Sequence, residues 1–198
     1  MYKLGIMGGT FNPIHNAHLI LAKAALREYS LDKVMFLPNY QPPHKECDQM
    51  ADAAVRYKMI QEAIAGEESF FVSDFEIKKG GLSYTVDTLK AFQEIYPDHE
   101  LYFIIGGDSL RDFTAWREPQ EIAKLCRLLV YARDGVDPQP RIKQLTEVLD
   151  AKIDVIHAPF VDISSSHIRQ CIASGKPVDE LVPQKVLDII KTNNLYKG

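Results

Sequence analysis

Six short apolar segments recur along the chain, and each is bounded by polar or turn-forming residues. They cover residues 4–7, 34–37, 70–72, 101–105, 128–131 and 153–156. Short apolar runs of this kind are typical of strands that are buried on both faces of a parallel sheet. Apolar positions at helical spacing predict helices that begin at 16, run through 54–64, extend from 84–85 to 95, follow the serines 164–166, and span about 184–192.

Strands that alternate with helices predict an α/β fold with a Rossmann-like, doubly wound parallel sheet and helices on both faces. We expect a single domain over residues 1–198, with a small helical C-terminal extension at about 164–198. In a doubly wound order the first and fourth strands are neighbours, and their carboxyl ends share a crevice. That order would gather Gly8, Gly9, His15, His18, Gly106 and Asp108 around one site.

The first eighteen residues hold the densest group of candidate site residues. The first predicted strand stops at Gly8 and Gly9, and a helix begins at Asn16 after a short loop. Glycine allows backbone N–H groups to approach a phosphate closely, and a helix N-terminus adds free donors and a partial positive charge. The alternative is an ordinary strand–helix turn, but His15 and His18, three residues apart, would face one anion and therefore favour phosphate binding.

A second group of candidate residues opens the helix after the sixth strand. Ser164, Ser165 and Ser166 supply a helix cap, hydroxyl groups and free backbone N–H groups, and Arg169 follows one turn later. A guanidinium offers a fork of donors that suits phosphate oxygens. Taken alone, the pattern fits a well-capped helix with an exposed arginine. Together with the first group it predicts a second phosphate cradle, suited to a triphosphate.

Three further positions have two interpretations each. Trp116 is the single tryptophan, and it either packs in the core or offers a stacking surface beside the predicted crevice. Thr85, at the start of a helix, is either a cap or a ligand contact. Lys45, after His44 in a loop rich in turn formers, is either a solvated loop residue or a basic clamp on phosphates.

The composition excludes several classes of protein. The net charge of −4, without any block of lysine and arginine, argues against nucleic-acid binding. No apolar run is long enough to span a bilayer, and the N-terminus lacks a signal-peptide pattern. Cys47, Cys126 and Cys171 form no CxxC pair, which indicates a reducing, cytoplasmic environment and no zinc cluster.

The two groups of candidate residues resemble signatures of the nucleotidyltransferase superfamily. GGTFNPIHNAH at residues 8–18 is similar to its glycine–threonine–phenylalanine and HxGH signatures, and ISSSHIR at 163–169 is similar to its ISSTxIR signature. The stretches 43–45, 81–85, 105–108 and 116–117 occur in the order found in bacterial nicotinate-nucleotide adenylyltransferases, the family that the chain resembles most. The resemblance spans essentially the whole chain.

The chain departs from this family's pattern at four positions. Asn12 stands in place of an aspartate, Ala17 of a glycine, Ser166 of a threonine and Gly107 of an alanine. Asn12 removes a charge near the phosphates, whereas Ser166 retains the hydroxyl group.

The resemblance implies transfer of the adenylyl group of ATP to the 5′-phosphate of nicotinate mononucleotide, with release of pyrophosphate, in NAD biosynthesis. It implies that His18 acts on the α-phosphate with His15 beside it, and that Arg169 and the three serines hold the β- and γ-phosphates. Mg²⁺ would be held mainly by phosphate oxygens and water, without a metal site in the protein. The other positions implied for ATP are Gly8, Gly9, Thr10, Phe11, Lys45 and Arg133, and those implied for the nicotinate nucleotide are Thr85, Gly106, Asp108 and Trp116.

Several alternatives stay open at the level of sequence. The acceptor could be nicotinamide mononucleotide or phosphopantetheine, although transferases for the latter are usually shorter and lack the elements at 84–85 and 116. A non-catalytic nucleotide sensor would keep the same pocket. An NAD(P)-dependent oxidoreductase is disfavoured because the first loop lacks GxGxxG. The sequence does not decide whether the chain forms a homo-oligomer.

Overall fold

The computed structural model describes residues 1–42, 50–131, 137–159 and 161–197. Its sheet has six parallel strands in the order β3-β2-β1-β4-β5-β6. The strands are β1 (Tyr2–Gly9), β2 (Lys33–Pro38), β3 (Phe70–Val72), β4 (His99–Gly106), β5 (Arg127–Tyr131) and β6 (Ile153–Ile156). The doubly wound order is therefore confirmed, and β1 and β4 lie side by side at the point where the order reverses.

The helices are α1 (Asn16–Glu28), α2 (Ala53–Ala63), α3 (Phe75–Lys79), α4 (Thr85–Ile95), α5 (Gly107–Arg111), α6 (Pro119–Leu125), α7 (Gln139–Leu149), α8 (Ser165–Ala173) and α9 (Gln184–Thr192), and a 3₁₀ turn covers Phe113–Ala115. Within the described ranges, none of the helices is long and apolar enough to cross a bilayer.

Side chains alternate between the two faces of the sheet and divide the core into two clusters. On the first face Met7, Phe36 and Ile104 pack with buried residues of α1, α2, α8 and α9. On the second face Ile6 and Phe103 pack with buried residues of α4, α5, α6 and α7. The C-terminal helices therefore share a core with the first helix.

The first strand is longer than the sequence pattern predicts. Gly8 and Gly9 are the last residues of β1, where they pair with Leu37 and Pro38 of β2, so the strand stops at these glycines as predicted but begins two residues before the apolar run. A Cβ on Gly8 would come within 3.1 Å of the Phe103 ring. Packing against the neighbouring strand is therefore one reason for glycine at this position.

Four helices have no counterpart in the sequence analysis. These are α3, α5, α6 and α7, all outside the first face of the sheet. α3 and α5 have five residues each and are too short to display a full period of apolar positions. α6 begins with Pro119 and α7 has Pro140 in its first turn, and this start signal was overlooked.

Candidate functional site

The loop between β1 and α1 makes a sharp turn at the carboxyl edge of the sheet. Phe11 has a φ of 50°, a left-handed conformation that costs a bulky residue on the order of 1–3 kcal/mol. Its buried ring packs at 5.9 Å from the Phe36 ring and at 5.0 Å from the His18 ring, measured between centroids. The peptide bond between Asn12 and Pro13 is cis. Packing of Phe11 thus fixes the turn that leads into the two histidines.

The two histidines form one unit at the start of α1. His15 is the N-cap residue, and its ring stacks on that of His18 with 3.7 Å between centroids. The backbone N–H of His15 donates to Nδ1 of His18 at 3.2 Å. An imidazole nitrogen that accepts carries no proton, so this bond assigns the proton of the neutral His18 ring to Nε2.

The charge state of His18 follows from its surroundings. Burial, together with the neighbouring His15, lowers the pKa of His18 well below its usual range. His18 is therefore neutral at pH 7 and offers Nε2–H as a hydrogen-bond donor. The residue as a whole is only partly buried. The prediction that both histidines face one anion becomes more specific, because the bond from His15 orients the His18 ring.

The start of α8 docks directly on the loop that follows β1. Ser164 caps the helix by accepting the N–H of His167 at 3.2 Å, as the sequence predicts. Ser165 Oγ donates to the carbonyl oxygen of Pro13 at 2.9 Å, and Arg169 Nη1 donates to that of Asn12 at 2.9 Å. The two predicted phosphate motifs are therefore in contact, although about 150 residues separate them in the sequence.

The remaining donors of α8 lie close to this contact. Arg169 Nη2 donates to Ser166 Oγ at 3.4 Å. The Ser165 hydroxyl proton is engaged by Pro13, which makes this serine a docking residue as well as a predicted phosphate ligand. Arg169 keeps further N–H groups beyond its bond to Asn12, because a guanidinium carries five.

Two buried residues organise this region: Asn12, which the sequence analysis noted only as a departure from the family pattern, and Arg56, which it missed. Asn12 is buried, and its Oδ1 accepts from the N–H of Ala51 at 3.0 Å and from the hydroxyl of Tyr196 at 2.7 Å. Arg56 of α2 is also buried. A signal for Arg56 was present, since it lies three and four positions before Met59 and Ile60 on the apolar face of α2, where a charge is unexpected.

The predicted acceptor residues lie on the other side of the β1–β4 crevice. Trp116 is half-buried, with its ring centroid 5.4 Å from that of Phe113 and 6.2 Å from that of Phe103. Trp116 therefore packs on the core while the residue stays partly exposed, and its role as a stacking surface stays a prediction. At Gly106, where β4 ends, a Cβ would meet nothing within 4 Å, so the space beside this backbone is open.

Thr85 and Asp108 lie in the first turns of α4 and α5. Thr85 is the first residue of α4, as the sequence predicts, and is partly exposed. Asp108 lies in α5 with 68% of its side chain exposed, and its carboxylate accepts from Arg111 at 3.0 Å. Their roles as nucleotide ligands stay predictions.

Lys45 and Arg133 lie outside the described residues, and their assignment to ATP stays a prediction. Among the residues that are described, no group of three or more His, Cys, Asp and Glu could hold a metal ion. That Mg²⁺ is held mainly by phosphate oxygens and water stays a prediction.

Known proteins share this sequence pattern. The sequence model of the family described as cytidylyltransferase-like matches residues 6–171. A protein of Clostridium novyi (strain NT) named "Probable nicotinate-nucleotide adenylyltransferase" is 42% identical and is aligned over 100% of both chains. A protein of Desulfitobacterium hafniense (strain Y51) with the same name is 40% identical, over 98% of this chain and 96% of its own. The chain belongs to the nicotinate-nucleotide adenylyltransferase family.

Solved structures of nicotinic acid mononucleotide adenylyltransferase share the fold. The enzyme of Plasmodium falciparum complexed with NaAD superimposes with a TM-score of 0.82 at 22% identity, over 99% of this chain and 98% of that chain. The same enzyme complexed with APC gives a TM-score of 0.79 at 21% identity. At such identities the likeness shows the fold alone.

The family aspartate that Asn12 replaces is not needed for the contacts seen at this position. Both hydrogen bonds to Asn12 Oδ1 require only an acceptor oxygen, which an amide supplies as well as a carboxylate. Asparagine at this position therefore keeps the acceptor oxygen without a negative charge.

Proposed function

We propose that this chain transfers the adenylyl group of ATP to the 5′-phosphate of nicotinate mononucleotide, giving nicotinate adenine dinucleotide and pyrophosphate. The observation that carries the proposal is the convergence at one strand edge of a neutral His18 donor and the Arg169 guanidinium, both locked to the loop after β1. A half-exposed Trp116 and the open backbone at Gly106 lie across the crevice. One side suits a triphosphate and the other an aromatic nucleotide.

The reaction is a direct displacement at the α-phosphorus of ATP. An oxygen of the acceptor's 5′-phosphate forms a bond to the α-phosphorus, and the bond from that phosphorus to the oxygen bridging to the β-phosphorus breaks. Pyrophosphate leaves with the electron pair of that bond. The attacking phosphate oxygen is already anionic, so no general base is required, and catalysis consists of positioning and charge stabilisation.

His18 and Arg169 have different tasks in this displacement. The Nε2–H of His18 would donate to an α-phosphate oxygen on which negative charge accumulates in the transition state. Arg169, with Ser164, Ser165 and Ser166, would bind the β- and γ-phosphates and stabilise the leaving pyrophosphate. His15 holds the His18 ring in the required tautomer.

The other ATP contacts are carried over from the family resemblance. Gly8, Gly9, Thr10 and Phe11 would line the phosphates, Lys45 would close over them, and Arg133 would flank the adenosine. Mg²⁺ would neutralise phosphate charge while bound to phosphate oxygens and water. A cytoplasmic location stays a prediction, and the oligomeric state stays open.

The acceptor side would bind nicotinate mononucleotide. Trp116 would stack on the pyridine ring, while Thr85, Gly106 and Asp108 would contact the nucleotide. The relatives named for this acceptor support this choice over phosphopantetheine.

The test is pyrophosphate release from Mg·ATP with nicotinate mononucleotide, nicotinamide mononucleotide or phosphopantetheine. We expect the first to give the highest kcat/KM. Preference for another acceptor would keep the chemistry and overturn the acceptor assignment. ATP binding without pyrophosphate release in any of the three would indicate a nucleotide sensor and overturn the proposal. Omission of Mg²⁺ is expected to abolish turnover.

A further inference from the structure

A buried arginine lies beneath the predicted phosphate site and bonds to three separate backbone segments. Arg56 is 1% exposed. Its Nε donates to the carbonyl of Ala51 at 3.0 Å, its Nη1 to that of Thr10 at 2.8 Å and its Nη2 to that of Tyr40 at 3.0 Å. Burial lowers the pKa of Arg56, yet arginine stays protonated in proteins, so this buried cation depends on those bonds.

Residues 39–41, here called the bridging segment, follow β2 and are attached to the loop after β1. The Asn39 N–H donates to the carbonyl of Gly9 at 3.0 Å. Asn39 Nδ2 donates to Thr10 Oγ1 at 3.2 Å. With the bond from Arg56 to Thr10, the first edge of the bridging segment is fixed to the predicted phosphate site.

The opposite edge of the bridging segment is attached to the start of α4. The N–H of Tyr40 donates to Ser83 Oγ at 3.3 Å, and the N–H of Ser83 donates to the carbonyl of Gln41 at 3.1 Å. Gln41 also forms a parallel bridge with Leu82. Ser83 lies two residues before Thr85, so this edge is fixed to the predicted acceptor site.

A buried carboxylate secures that second attachment. Glu76 of α3 is 6% exposed, and its Oε1 accepts from the hydroxyl of Thr88 at 2.6 Å. Ser83 is close enough to Glu76 to help Thr88 oppose the rise in pKa that burial causes at this carboxyl. Glu76 therefore holds α4 through Thr88 and lies beside Ser83, the residue that attaches the bridging segment at this edge.

We propose that Arg56 and Glu76 are positioning residues that hold the bridging segment between the two substrate sites and thereby couple acceptor binding to ATP binding. The inference rests on the proposed function for the identity of the two ligands. Both side chains are buried, so they act through Thr10, Tyr40 and Ser83. A change at Ser83, on the acceptor edge, should alter the phosphate edge, which a purely local role would not do.

Two variants test this coupling from opposite edges. Arg56→Lys keeps the charge but loses the three-way fork, and Ser83→Ala removes the hydroxyl that accepts from the N–H of Tyr40. Lys58→Met, at an exposed position of α2, and Ser69→Ala, at a position as partly exposed as Ser83, are matched controls. Ser83→Ala deletes a single oxygen from a partly exposed residue, so it provides a folded variant even if Arg56→Lys does not fold.

The first readout is amide hydrogen exchange, which needs no turnover. We expect each test variant to accelerate exchange at both Asn39 and Tyr40 by about tenfold, and the controls to leave it unchanged. Faster exchange at Tyr40 alone in Ser83→Ala would show that the two edges are independent and would overturn the proposal. This readout stays informative even if the protein fails to turn over nicotinate mononucleotide.

The second readout is steady-state kinetics, which shows whether each variant changes KM for ATP, KM for the acceptor or kcat. We expect Ser83→Ala to raise KM for ATP as well as for the acceptor, by about threefold to tenfold each. Arg56→Lys should lower kcat by about tenfold to a hundredfold, because small displacements of reacting groups have effects of this size. In the double variant, the fold-change in each kinetic constant should be smaller than the product of the fold-changes in the two single variants. An unchanged KM for ATP in Ser83→Ala, or fully multiplicative effects, would contradict coupling.

Discussion

The two sides of the crevice differ in whether their predicted ligand-binding groups are already hydrogen-bonded within the protein or are exposed. On the phosphate side, Ser165 and Arg169 are bonded to the loop after β1, and His15 orients the ring of His18. On the acceptor side, Trp116 is half-exposed, Asp108 is mostly exposed and the space beside Gly106 is open. One side is ordered before any ligand binds, and the other presents surfaces to a ligand.

This difference matches the two tasks of a group-transfer enzyme. Charge that develops at the α-phosphorus must meet donors that are already in place, because reorganisation during the reaction would raise the barrier. Recognition of the acceptor requires an accessible aromatic surface and free backbone groups. Changes on the phosphate side should therefore affect kcat, and changes on the acceptor side should affect KM for the acceptor.

The largest effect is expected for His18→Ala. Loss of a preorganised donor to the transition state should lower kcat by about 10²–10³-fold with little change in KM for the acceptor. Pyrophosphate release under saturating ATP measures this effect. His157→Ala, at an exposed position, is the control. Turnover of His18→Ala at the rate of the unmodified protein would remove His18 from the mechanism.

The next effect concerns the fork of Arg169. Arg169→Lys keeps the positive charge but cannot both donate to Asn12 and grip phosphate oxygens in a bidentate manner. We expect kcat/KM for ATP to fall by about tenfold to a hundredfold. Arg27→Lys, an exposed change in the last turn of α1, should have no effect. A loss confined to KM for the acceptor would reverse the assignment of the two sides.

Trp116→Ala should affect the acceptor alone. Stacking between aromatic rings contributes about 0.5–1.5 kcal/mol, so KM for nicotinate mononucleotide should rise by roughly twofold to tenfold while KM for ATP stays constant. Trp116→Phe should recover most of the loss. Steady-state kinetics with each substrate varied in turn measures both values. An equal rise in both KM values would mean that Trp116 supports the core instead of the acceptor.

The smallest effect is a pH dependence of stability at Glu76. Burial raises the pKa of Glu76, against the opposing hydrogen bonds from Thr88 and Ser83. A carboxyl whose pKa is higher in the folded state stabilises the fold below its unfolded pKa, and this contribution is lost as the pH rises through the folded pKa. The free energy of unfolding of Glu76→Gln, relative to the unmodified protein, should therefore increase from pH 4 to pH 8. Urea unfolding across this range measures it, and a constant difference would show that Glu76 does not titrate differently in the two states.

The helices that cover the two faces of the sheet also differ in how well the sequence predicts them. Residues 16–28 and 184–192 on the first face carry apolar positions over several turns, so their helical period is visible. On the second face, Phe113–Ala115 and Gly107–Arg111 are single turns whose shape depends on the strands they cover. Short elements have too few positions to show a period, and packing decides their conformation.

The sequence by itself determined the strands, the helices α1, α2, α4, α8 and α9, the motifs at 8–18 and 163–169, and the family to which they point. These features depend on local pattern and spacing. Only the tertiary structure decided that Arg169 bonds to Asn12, that Arg56 joins Thr10 to Tyr40, and that Tyr196 reaches Asn12. Hydrogen bonds between distant segments depend on where packing of the core brings the backbone, and no local pattern encodes that position.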